Sequence, residues 1–296
     1  MSAAPDLVLT ETNGAHCSLW WTNSPSMPGE QVGLIGKFHA TDPESASILL
    51  SEACRHLSAH GCSIAIGPMD GSTWKSYRLV TDAGSEPPFF LEPTNPPEWP
   101  GYFVASGFSA LANYTSALNP DLGYMDPRIE KVRHRIASAG IIIRPIRLAE
   151  FAHELRHIYE VSIGSFHKNF LYSPIDYAEF ESLYLPVRQA IVPELVLLAF
   201  DQLKCVGFVF AVPDFAEAKT GLPIKTVIAK SLAVLPGRQM AGLGTLLLAE
   251  MQESASQLGY TRAIHALMHE SNNSRNLSGH YAATMRRYTL FSKSLS

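Results

Sequence analysis

Apolar positions along the chain change period several times, and each change marks an element. Short apolar or alternating runs at residues 7–10, 17–22 and 31–39 predict three strands, the first two joined around Asn13-Gly14. At Asp42-Pro43-Glu44 the period becomes helical: an acidic N-cap, proline at the first position and an acid in the first turn. That helix runs to His60 and stops at Gly61, and residues 62–66 follow as a short buried strand. Residues 84–101 read as a loop, with proline at 87, 88, 93, 96, 97 and 100. A helical piece over 99–106 leads to a strand near 111–117.

The second half starts after a polar stretch, 119–139, which carries Asn119-Pro120-Asp121 and Asp126-Pro127-Arg128 and reads as a connection. Residues 140–146 are continuously apolar, as a buried strand would be. Amphipathic helices are predicted over 148–166 and 174–184, then a hairpin, 194–200 and 204–212, around Asp201-Gln202. A strand at 225–235, a helix ending at Gly259, a strand at 261–268 and a last strand at 285–295 complete the chain. The order predicts an α/β (α+β) fold, a mixed central sheet flanked by helices.

The most informative stretch is the junction between the strand ending at Leu235 and the helix that follows. Pro236 stops the strand, because it has no amide to give a ladder. Gly242 and Gly244 then sit where the helix begins, ahead of an apolar face at Leu243, Leu246, Leu247, Met251, Ala255 and Leu258. A helix N-terminus offers unpaired amides and the positive end of a dipole. Glycines let a phosphate approach the backbone, and Arg238 adds charge nearby. The stretch reads as a pyrophosphate cradle or, alternatively, as a tight turn with two convenient glycines.

Val234 followed by Gln239-Met240-Ala241-Gly242-Leu243-Gly244 resembles the acyl-CoA-binding signature of the GNAT acetyltransferase superfamily. The resemblance covers about residues 139–296. It implies an N-acetyltransferase that moves an acetyl or other acyl group from CoA to an amine by direct attack in a ternary complex. Acetyl-CoA or another acyl-CoA would be the co-substrate. Backbone amides of Met240, Ala241, Gly242, Leu243, Gly244 and Thr245, with Gln239, would hold the pyrophosphate, and Leu232, Ala233 and Val234 would line the pantetheine arm. The segment 102–108, ending Gly107-Phe108, is similar to the end of a GNAT domain too. The first half therefore reads as a degenerate second module: 1–126 degenerate, 127–138 linker, 139–296 the intact domain. An unrelated α/β cap is the alternative. At its helix entrance stands Thr41-Asp42-Pro43-Glu44-Ser45, whose carboxylates would repel phosphate. Asn169 to Pro174 and Asn95-Pro96-Pro97 look closest to a bacterial branch that includes ceramide-synthase-like N-acyltransferases. That likeness keeps a longer-chain acyl-CoA and a lipid amine open beside a small-molecule amine.

After the strand at 261–268 the GNAT pattern places an Asn that contacts the pantetheine arm and a Tyr that protonates the leaving thiolate. Asn273 and Tyr281 match best, although their interval is one residue too long and Gly279 precedes the Tyr. Ser278 could serve through water. The alternative for Asn272 and Asn273 is helix capping. The strand at 225–235 carries no carboxylate to act as base. His269 and Glu270 are the candidates, with solvent or a purely structural histidine as alternatives. Arg286 and Arg287 are expected on a solvated face or in ion pairs.

Composition narrows the rest. The 296 residues are 46% hydrophobic and 17% charged, so the chain can build a substantial core. A net charge of −4 and an isoelectric point near 6.3 argue against a nucleic-acid surface. No run approaches the roughly 18 apolar residues of a membrane span, and the first residues lack a secretory pattern. The four cysteines show no metal-like spacing and are expected as buried thiols in a cytoplasmic protein. No metal motif and no nucleophile elbow is present. A homodimer is compatible with the sequence, and a non-catalytic acyl-CoA sensor is the rival to an enzyme.

Overall fold

The computed structural model describes residues 4–12, 14–124, 126–219, 221, 223–270 and 282–295. In chain order its elements are β1 (Leu7–Thr10), β2 (His16–Trp20), β3 (Val32–His39), α1 (Pro43–Ala59), β4 (Ile64–Gly67), β5 (Leu79–Asp82), α2 (Trp99–Ala105) and β6 (Ser109–Asn119). Then come α3 (Arg128–Ser138), β7 (Ile141–Pro145), α4 (Phe151–Phe166), α5 (Tyr177–Tyr184), β8 (Val196–Asp201), β9 (Lys204–Pro213) and the one-turn α6 (Phe215–Ala218). The chain closes with β10 (Thr226–Val234), α7 (Leu243–Gln257), β11 (Arg262–His269) and β12 (Ala283–Ser294).

All the described strands join one sheet, in the order β1-β2-β3-β4-β12-β6-β11-β10-β9-β8-β7, with β5 also paired to β12. Two β-α-β units carry the parallel pairs: β3-α1-β4 and β10-α7-β11. Every other pair is antiparallel. The two central strands are exchanged. β6, from the first half of the sequence, pairs with β11 of the second half. β12, from the end of the chain, lies against β4 of the first half. β6 and β12 pair with each other from Ala283↔Leu118 to Ser292↔Ser109.

Helices cover the sheet, and the sequence sets which face each takes. In α7 the buried residues Leu243, Leu246, Leu247, Met251 and Ala255 recur at helical spacing and pack on Val227 and Ala229 of β10. On the other face α4 buries Leu155, Ile158 and Val161 against Ile228 and Phe208. Alternation along β10 thus divides the two cores. The stretch 127–138, expected as a plain connection, folds as α3. Ile129, Val132 and Ile136 stand at i, i+3 and i+7 and pack against the α7 core, while Arg133 reaches Glu250 and Glu253 of α7 at 2.9 and 3.0 Å. Among the described residues no helix is long and apolar enough to cross a membrane, and the four cysteines are buried free thiols.

Candidate functional site

β10 and β11 pair only from Thr226↔Arg262 to Ala229↔His265. Beyond that they part. β10 continues along β9, from Ser231↔Phe210 to Val234↔Gly207, after a register shift that leaves Lys230 in a bulge. β11 shifts register against β6 between His265 and Met268, and within that shift Leu267 has φ +62°. Two irregularities at the same level open the middle of the sheet. The β11-facing edge of residues 231–234 therefore has no strand partner among the described residues.

Above this opening α7 begins. Gly242 is its N-cap, with φ +80°, a conformation that disfavours any residue with a Cβ. A Cβ at Gly242 would lie 2.7 Å from Nη2 of Arg135, which donates a hydrogen bond to the Ala241 carbonyl. At Gly244 a Cβ would find only Val234 Cγ2 at 3.7 Å and Leu232 Cδ2 at 3.9 Å, ordinary contact distances. Residues 238–240 form a single 3-10 turn, so the amides of Met240 and Ala241 are spent on Gly237 O and Arg238 O. No side chain caps α7. The amides of Leu243, Gly244 and Thr245, in its first turn, have no acceptor among the described residues. Of residues 240–245, those from 242 to 245 are the ones whose amides include groups without an acceptor among the described residues. Met240 and Leu243 are buried in the core and present only backbone, and Gln239 Nε2 donates to Asp201 at 3.3 Å. Leu232 and Val234 pack toward α7, and Ala233 lies in the core on the other face.

The corresponding entrance in the first half is closed by its own side chain. Asp42 accepts the Ser45 amide at 2.9 Å at the start of α1, and the Ser45 hydrogen bonds hold its carboxyl below the usual range.

A cavity of about 860 Å3 lies where β10 and β11 part, on the α4 and α5 face, within the range of small-molecule sites. Lys230 and Ser231 of β10 and Ala266, Leu267 and His269 of β11 form its floor. Walls come from both halves of the sequence: Trp74, Tyr77 and Arg78 from the loop after β4, Phe170 and Tyr172 from the loop after α4. Trp74 ties these loops together, donating from Nε1 to Ser173 O at 2.8 Å with its ring among Phe166, Tyr172 and Phe180.

A buried polar chain fixes the loop above β12. Arg286 and Glu92, almost wholly buried, form an ion pair at 2.5 Å, and Arg286 also reaches the carbonyls of Ala83 and Glu86. The Tyr288 hydroxyl donates to Glu92. Ser116 Oγ lies 3.0 Å from that hydroxyl and accepts the Leu267 amide at 3.1 Å. The loop is thereby linked to the bulge in β11. Arg286 pairs as expected, and Arg287 is exposed near Asp82 at 3.8 Å.

The ionisable groups divide into structural and available ones. His265 is buried, and its Nε2 accepts from Gln252 at 3.0 Å while Gln252 Oε1 accepts from Asn119. Burial pushes it down to about 4, so it stays neutral. His269 lines the cavity with its ring against Tyr114 and Phe170. Burial lowers its pKa, and the Arg78 cation adds to this while Glu270 opposes it. Glu270 is exposed and accepts from Asn113 at 3.2 Å. Lys230, which no motif in the sequence singles out, projects from the bulge and donates to Leu91 O at 2.9 Å. Burial, then the Arg78 cation, brings it down to about 8. Asn273 and Tyr281 lie outside the described residues. Glu150, His153 and Glu154 gather at the start of α4, but both Glu154 oxygens are held by Arg144 at 2.9 and 2.7 Å.

No protein-family model and no curated protein matches the sequence. Solved structures match its fold. A glucosamine N-acetyltransferase region of a fungal multi-domain GH3 β-N-acetylglucosaminidase superposes with TM-score 0.56 at 11% identity over 96% of this chain, which spans 32% of the fungal one. A GCN5-related N-acetyltransferase from Sphaerobacter thermophilus gives 0.55 at 12% identity, covering 97% of this chain and 79% of that one. Another from Anabaena variabilis gives 0.50 at 9% identity, covering 95% and 60%.

Proposed function

We propose that this chain, which has the GCN5-related N-acetyltransferase fold, transfers an acetyl or other acyl group from CoA to an amine. One observation carries the reading. Unspent amides at the start of α7 stand over the unpaired edge of β10, and that edge borders a cavity on the opposite face. A diphosphate suits the first site. A thioester lying along residues 231–234 would present its carbonyl to free strand amides, which stabilise the developing oxyanion. The amine enters from the cavity. Its nitrogen attacks the thioester carbon, the C–S bond breaks, and the thiolate takes a proton, for which Tyr281 is the proposed donor. The amine loses a proton to a base. His269, with Glu270 beside it, and Lys230 are the groups at hand, both His269 and Lys230 being held toward their neutral forms.

Gly244→Asp tests the cradle without disturbing the fold. The Cβ fits, and an acid in the first turn of a helix stabilises it by about 0.3–1 kcal/mol. The same carboxylate repels phosphate. Isothermal titration should show acetyl-CoA and CoA binding to the wild type and at least tenfold weaker binding to the variant, with its melting temperature unchanged or raised. Absence of binding to the wild type at millimolar ligand refutes the assignment. Comparing acetyl-CoA with palmitoyl-CoA turnover reads acyl length.

A further inference from the structure

One cation on the cavity wall makes no ion pair among the described residues. Arg78 is only 7% exposed. Among the described residues it makes no ion pair, and Glu92, the acid lining the same cavity, is committed to Arg286 and Tyr288. Its guanidinium lies 4.0 Å over the Tyr77 ring and 4.3 Å over the Tyr114 ring, with Tyr288 further off at 5.9 Å. Nη1 donates to the Tyr77 hydroxyl at 2.8 Å. Nε is buried without a hydrogen-bond partner, and the guanidinium's one hydrogen bond among the described residues is that of Nη1. The Nε–Nη2 edge, the one that grips a planar oxyanion through two parallel N–H bonds, is therefore unspent.

The backbone holds this group in place at a cost. Arg78 has φ +68°, the left-handed region, with its amide donating to Pro68 O at 2.9 Å. A non-glycine residue keeps that conformation only where its surroundings enforce it, and such positions cluster at ligand clamps. Lys230 adds a second cation to the same cavity. A desolvated guanidinium facing aromatic walls, with a free bidentate edge, favours an anion carried on an apolar body.

We propose that the acceptor amine carries an oxyanion, a carboxylate or a phosphate, that is bound by the free edge of Arg78, with the apolar part of the acceptor among Trp74, Tyr77, Tyr114 and Phe170. This rests on the acyltransferase reading for the amine, but not for the anion site. The planar edge favours the carboxylate, so the acceptor class is an amino acid with an apolar side chain.

Binding separates the two ideas. Titrations of N-acetyl-L-phenylalanine and N-acetyl-L-phenylalaninamide into the wild type compare the same body with and without charge. The acid should bind at least tenfold tighter. Arg78→Gln should bring the two within twofold while leaving acetyl-CoA affinity unchanged. Arg78→Lys, which keeps charge but not the edge, should retain part of the difference. O-phosphoethanolamine against ethanolamine reports the phosphate arm, where a preference exceeding that for the carboxylate makes the oxyanion a phosphate. If acetyl-CoA binds but neither pair shows a charge preference, the anion site is refuted and the transferase reading stands. If the preference is present and acetyl-CoA does not bind, the reverse holds. A preference that survives in Arg78→Gln assigns the anion elsewhere and refutes the role of Arg78. Should Arg78→Gln fail to fold, the wild-type pairs still decide.

Discussion

Replacing Lys230 with methionine should stabilise the protein at neutral pH. Lys230 sits in the β10 bulge, partly buried, with Arg78 nearby and its Nζ on Leu91 O at 2.9 Å. Burial first, and then like charge, brings it from 10.5 to about 8, a difference worth at most about 3 kcal/mol. The sign follows from proton counting. Below pH 8 both folded and unfolded chains hold the proton, and the folded state carries the whole penalty. Between about 8 and 10.5 the folded protein has released it while the unfolded chain keeps it, so wild-type stability rises with pH. Above 10.5 the penalty is gone.

Methionine keeps the length and apolar stem of lysine without the charge. It loses the bond to Leu91 O, a contribution of about 1–2 kcal/mol. At pH 7 Lys230→Met should therefore be more stable by about 1–2 kcal/mol, and near pH 10.5 less stable by a similar amount. Urea unfolding of both proteins from pH 7 to 10.5, at one ionic strength, gives the difference curve, in which titrating tyrosines and cysteines cancel. A flat curve would show a lysine that titrates as in water, and the desolvated cleft would have to be given up.

Two further outcomes follow from the same geometry. Arg286→Ala leaves the Glu92 carboxylate buried without its partner and should cost about 3–5 kcal/mol in urea unfolding at pH 7; a loss under 1 kcal/mol would mean that the loop over β12 simply opens. If Lys230 takes the proton of the amine, kcat/KM should rise through pH 8 and level off. Lys230→Met should then lack that limb with an unchanged acyl-CoA KM, whereas a limb that persists assigns the proton to His269 or to the acceptor itself.

Local signals survived into the structure wherever one short stretch held all the information. The Asp42 cap and Pro43 start α1. Gln202, at φ +55°, turns the β8–β9 hairpin, and Gly259, at φ +91°, closes α7. The two-glycine junction does open a helix over a splayed strand. What escaped depends on partners far away in sequence. The stripe Ile129, Val132, Ile136 is short and set in a charged run, so it becomes a helix only because α7 offers it a surface. Four residues at 79–82 form β5 because β12 pairs with them. Arg78 stands in the stretch between β4 and β5, where no local pattern marks it. Its meaning comes from Tyr114 and Tyr288, which stand on β6 and β12.

The exchanged strands bear on how far the two halves are separable. β11 has β10 on one side and β6 on the other, and β6 belongs to residues 1–126. β12 lies between β4 and β6, both of them in that half. A fragment of residues 127–296 would keep β12 but none of its partners, and it would expose the edge of β11 at the bulge that shapes the cavity. Unpaired edges of that kind recruit other chains. Tyr288 and Leu290, wholly buried in the intact protein, would be uncovered as well. The fragment alone should therefore aggregate or unfold without a cooperative transition. Expressed together, 1–126 and 127–296 should associate into one soluble complex that unfolds in a single step. A monomeric 127–296 with a sharp transition and wild-type acetyl-CoA affinity would show that the exchange is dispensable, and that the second half builds its opening without help from β6.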